Sequence, residues 1–118
     1  MEKTEILTTN GIDVEKGLEL LGDMELYDEI LNEFYNQTEE RINNLKNYKE
    51  KEDLENYAIL VHAIKSDSKY LGFNKLAELA LEHELQSKAK DINFVNDNYN
   101  ELLNEFNRII EVIQLYLK

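Results

Sequence analysis

Apolar residues recur along this chain at spacings of three and four over long stretches. Nowhere does an alternation of period two persist long enough to suggest a sheet. Asp13 stands where it can cap a short helix that carries Val14, Leu18 and Leu21 on one side and ends near Gly22. Asp23 can cap a long second helix, in which Tyr27, Ile30, Leu31, Phe34, Thr38, Ile42 and Leu45 keep the helical spacing until the polar run NYKEKED interrupts it. Asp53 opens a third, with Tyr57, Val61, Ile64 and Leu71 inward and Gly72 at the position after its end, where glycine readily takes a positive φ. Asn74 is placed to cap a fourth, bearing Leu76, Leu79, Ala80 and Leu85. Asp91 opens the last, with Val95, Tyr99, Leu102, Phe106, Ile109 and Ile113 in register.

Brief turns between such helices favour antiparallel neighbours. The expected fold is therefore all-α: an antiparallel up-down four-helix bundle with a short N-terminal capping helix. A chain of 118 residues is one domain, 1–118, with an N-terminal tail over about 1–10. It can bury roughly 65% of its unfolded surface, enough for a core without staples. A lone antiparallel coiled coil fits less well, because no heptad is kept across the turns.

Charge narrows the partners. With 25 acidic against 13 basic residues the formal charge is −12, which repels a nucleic-acid backbone and an anionic membrane surface alike. Proteins or small molecules are the expected partners, with no nucleic acid and no membrane. There is no cysteine, so disulfides and thiolate chemistry are excluded. No signal-peptide pattern and no run of 18 apolar residues is present, and a cytoplasmic location is the expectation.

Candidate chemistry gathers in VHAIKSDSKYLG, Val61 to Gly72. A helical wheel puts His62 away from the core stripe, with Ile59, Ala63 and Ser66 on the same exposed strip and Lys65 and Lys69 alongside. A neutral exposed imidazole has a free ring nitrogen that a phosphoryl group can reach. A lysine three residues on can neutralise phosphate oxygens, and a small neighbour leaves room for another protein to approach. The bland reading of such a histidine is a solvated surface residue. Other motifs carry less. EHEL around His83 lacks the second histidine of a zinc-protease motif. DINFVNDNYNE has valine and asparagine where a calcium loop needs a ligand and a glycine. NQT at Asn36 is a glycosylation triplet by pattern alone. No glycine-rich phosphate loop exists, so no autokinase activity is expected.

The stretch His62-Ala63-Ile64-Lys65-Ser66-Asp67-Ser68-Lys69-Tyr70-Leu71-Gly72 resembles the signature of the histidine-containing phosphotransfer (HPt) domains of two-component phosphorelays. GIDVEKGLELLGDMELYDEILNEFY upstream and LAELALEHELQSKAKD downstream extend the likeness over nearly the whole chain. The resemblance implies that His62 is the phosphoacceptor, that Lys65 neutralises phosphate, and that Glu84 bonds the other ring nitrogen and orients the imidazole. Ile59, Ala63, Ser66 and Lys69, on or beside the exposed strip, are the expected partner-docking residues. Ser66 stands where many members have glycine, and Asp67 where a small residue is common. Phe34 or Tyr35 could border the site, the other being core. The implied partners are response-regulator receiver domains and/or a hybrid histidine kinase. No cofactor or metal is expected on this chain, Mg²⁺ belonging to the receiver, and a monomer is the simpler state. The alternative is a non-catalytic receiver-docking module in which His62 is never phosphorylated. A third reading is a module excised from a hybrid kinase, against which the starting Met1 speaks slightly.

Overall fold

The computed structural model describes residues 3–118; Met1 and Glu2, at the start of the expected tail, lie outside the described residues. Among the described residues every regular element is a helix: α1 (Glu5–Thr9), α2 (Val14–Leu21), α3 (Met24–Asn36), α4 (Thr38–Glu50), α5 (Leu54–Leu71), α6 (Asn74–Lys88) and α7 (Ile92–Leu117). Four of the expected caps are made by aspartate carboxylates. Asp13, Asp23, Asp53 and Asp91 each accept the backbone N–H three residues on, at 2.8–3.2 Å, which satisfies a donor the first helical turn leaves free. Asn74 does not cap. It is already helical, and buried Phe73 occupies the capping position without a side-chain bond.

Three boundaries depart from the periodic reading. The long second helix is broken at Gln37, whose N–H reaches only back to the Phe34 carbonyl, while the Thr38 hydroxyl takes the Tyr35 carbonyl at 2.7 Å. A side chain that takes a helical carbonyl competes there with the backbone ladder. Helix α4 then continues through Tyr48 to Glu50, into the polar run expected to end it, because Tyr48 is half-buried and Lys49 lies over the Tyr99 ring. The expected tail contains α1, whose Leu7 is fully buried and which packs on α7.

Pairings across the core show how the rods run. Tyr27 donates to the Leu71 carbonyl while Arg41 meets Asp67, so α3–α4 runs opposite to α5. Tyr116 bonds Asp28 and Lys49 covers Tyr99, so α3–α4 also runs opposite to α7. Helices α5 and α6 meet through a two-residue turn and are the most intimately packed pair. The result is a helical bundle about 44 Å long, with buried Phe34 packed against Phe73 and Phe106. Both short helices, rather than one, sit near the end where α5 turns into α6. The Asp13 N–H donates to the Gly72 carbonyl at 2.9 Å. Gly72 adopts φ +82°, and a Cβ there would lie 2.1 Å from the Asp13 carbonyl oxygen, so this turn needs glycine on two counts. No helix among the described residues is long and apolar enough to cross a membrane.

Candidate functional site

Helix α5 sends Val61 and Ile64 into the core. That fixes the rotation of the helix and leaves His62 between them on the flank nearest α6, with its side chain 56% exposed. Across the interhelical seam stands Glu84, on α6 one residue after buried His83 and only 3% exposed. His62 Nδ1 lies 2.7 Å from Glu84 Oε2. The second carboxylate oxygen, Oε1, accepts from Lys65 Nζ at 2.6 Å, and Lys88 Nζ donates to Oε2 at 3.0 Å. Burial pushes the Glu84 carboxyl up, but the bonds from Lys65, Lys88 and His62 outweigh it and hold the group at about 2.

This arrangement has one chemical consequence above all. An ionised carboxylate can only accept, so His62 Nδ1 carries the proton, and in the neutral ring the lone pair is on Nε2. The structure brings together all three residues assigned to the centre, His62, Lys65 and Glu84. Lys65 is nonetheless placed differently from expectation: its ammonium is committed to Glu84 and its side chain is only 14% exposed.

The docking residues divide. Ile59 is 64% exposed and lines, with Leu54, Ala58 and Ile92, the apolar part of an open groove of about 990 Å³ that ends at His62. Lys69 is exposed in the last turn of α5. Ala63 and Ser66, expected on the exposed strip, are half-buried. Asp67 pairs with Arg41 Nη1 of α4 at 2.8 Å, so its charge beside the site is balanced from the neighbouring helix. Phe34 is core, and Tyr35 accepts from Gln114 of α7; neither lines the groove at His62.

His83 is a contrast. It is 1% exposed, with Tyr57 Oη 2.9 Å from Nδ1 and the Asn98 carbonyl 3.2 Å from Nε2. Burial lowers it to about 4, the bond to Asn98 pulling weakly the other way, so both ring nitrogens are occupied in the neutral form. Among the described residues no three His, Asp or Glu side chains converge as a metal site. The residue that sequence reasoning passed over is Lys88. Its i, i+4 spacing from Glu84 was the available signal.

A family model described as the Hpt domain matches residues 29–112, from within α3 to within α7. No curated protein and no solved structure matches the chain.

Proposed function

The chain belongs to the Hpt domain family, whose members take part in phosphotransfer in two-component signalling, and we propose that it is a phosphocarrier with His62 as its acceptor. The bond between His62 Nδ1 and Glu84 carries this reading. It fixes the tautomer and leaves Nε2 as a nucleophile on the exposed edge of the ring. A receiver domain would present its aspartyl phosphate to that edge, with the receiver's own Mg²⁺ balancing the phosphoryl charge. Nε2 attacks phosphorus in line, and the bond to the aspartate oxygen breaks with its electron pair. Nδ1 keeps its proton, so the new positive charge of the ring faces Glu84. Transfer to a second receiver is the same step reversed.

Position and electrostatics are what this chain supplies. The protein is strongly acidic, with a charge of −12, yet Lys65 and Lys88 flank the acceptor and Lys69 lies farther along α5. Local cations of this kind offset repulsion from an acidic receiver over about 8 Å at physiological salt. Ile59 and the groove beside it supply apolar contact area.

The test is direct. Several receiver domains are charged with a small-molecule phosphodonor and Mg²⁺, mixed with the wild-type protein or with His62→Gln, and acid-labile phosphate is read by intact mass. Label on the wild type alone is expected. Binding to receivers without label on any of a broad panel would instead make the chain a docking module.

A further inference from the structure

Glu84 is held by two lysines, and they are not equivalent. Lys65 donates to Oε1 at 2.6 Å from a side chain only 14% exposed. Lys88 donates at 3.0 Å to Oε2, the oxygen that also takes the His62 Nδ1–H, and its side chain is 63% exposed. His62, Glu84 and Lys88 all line the groove of about 990 Å³, as does Lys90, which makes no bond to Glu84, while Lys65 does not line it. A phosphoryl group that reaches the ring from the groove therefore shares that space with the ammonium of Lys88.

The two contacts also differ in how readily they break. The Lys88 end of its contact is 63% exposed and reaches Glu84 along its own helix, so water can take its place and the ammonium exchanges easily. Withdrawing Lys65 would strand an oxygen of a buried carboxylate. We propose that Lys88 is the cation that contacts the phosphoryl group on His62, while Lys65 stays on Glu84 throughout; this rests on the phosphocarrier reading. As the P–N bond to Nε2 forms and the donor's bond to phosphorus breaks, the ring becomes an imidazolium with its Nδ1 proton in place. Lys88 moves from Oε2 to a phosphoryl oxygen, which leaves Oε2 to the imidazolium alone. One mobile cation is thus exchanged for the charge created on the ring, and Glu84 never lacks a partner. The plainer role for Lys88, a basic residue ending α6 and complementing its dipole, would stabilise the helix but leave phosphorylation untouched.

Phosphoramidate separates these roles without any receiver or metal, since its P–N bond breaks with loss of ammonia as His62 takes the phosphoryl group. Wild type, Lys88→Ala, Lys88→Arg and Lys65→Ala are compared by intact mass at low and at raised salt, with His62→Gln to locate the label and thermal unfolding of each protein alongside. Lys88→Ala is expected to phosphorylate about tenfold more slowly at low salt, the lower end for a hydrogen bond to a charged group. Its unfolding midpoint should match wild type. Lys88→Arg should recover most of the rate, and added salt should slow wild type far more than Lys88→Ala. Lys65→Ala should lower the unfolding midpoint yet keep the salt-sensitive part of the rate. A wild-type rate in Lys88→Ala, or loss of the salt-sensitive part in Lys65→Ala instead, would overturn the proposal and leave the carrier intact. Absence of label on wild type from phosphoramidate and charged receivers alike, or label retained in His62→Gln, would overturn the carrier and this proposal with it.

Discussion

Replacing Glu84 by glutamine keeps the shape of the side chain and removes its charge. The consequences can be worked out from its surroundings. The carboxyl falls from 4.5 to about 2 on folding, which at roughly 1.4 kcal/mol per pH unit corresponds to about 3 kcal/mol. Two of its three partners, His62 and Lys88, are more than half exposed, and solvent screens their share. A loss of about 1–2 kcal/mol at neutral pH is the discounted expectation for Glu84→Gln. The sign follows from the depressed carboxyl. Its stabilisation is complete above the unfolded-state value of 4.5 and is lost as pH falls toward 2. Urea unfolding of both proteins, followed by circular dichroism from about pH 7 down to about pH 3, should show the gap narrowing below pH 4.5. The nitrogen NMR shifts of His62 should report one tautomer in wild type and a mixture in the variant, because an amide can donate to Nδ1 as well as accept from it. A stability gap that stays constant over the whole pH range would refute the reasoning, since the charge would then not be what Glu84 contributes.

Gly72→Ala should cost at least about 2 kcal/mol, because a Cβ at φ +82° meets the Asp13 carbonyl; denaturant midpoints check this, and a loss of a few tenths would mean that the α2 contact gives way easily. Glu52 and Lys90, two residues past the ends of α4 and α6, hold φ 55° and 61° as non-glycine residues, so Glu52→Gly should stabilise the protein by about 0.5 kcal/mol or slightly more. Thermal unfolding would show it, and a lower midpoint would contradict it. Tyr57→Phe removes the donor to buried His83 Nδ1 and should cost about 1–2 kcal/mol with phosphotransfer at His62 unchanged. Loss of transfer there would tie the His83 layer to the site.

Four helix starts and the inner faces of the helices were legible because their determinants lie within one turn. Asp13, Asp23, Asp53 and Asp91 reach the N–H three residues on, and apolar spacing chose the faces that Val61, Ile64, Leu102 and Phe106 bury. The break at Gln37 was not legible, because a threonine inside an apolar pattern looks the same whether its hydroxyl faces outward or takes a carbonyl. Neither were the turns at Glu52 and Lys90, where side chains occupy a conformation that sequence reading reserves for glycine.

From the sequence by itself came the all-helical fold, the caps, and an exposed histidine on the third expected helix. The resemblance to a family then singled out His62, Lys65 and Glu84. Which groups meet was decided by packing alone. Glu84 reaches His62 and Lys65 from 22 and 19 residues away, across a seam set by the rotation and register of α5 on α6. The same seam commits Lys65 to the carboxylate, leaves Lys88 at the groove, and buries His83 against Tyr57 one residue from the site. Periodicity says which side of a helix is wet, but contacts between helices depend on how two cylinders settle against each other. That is fixed only when the apolar faces of the whole bundle pack together.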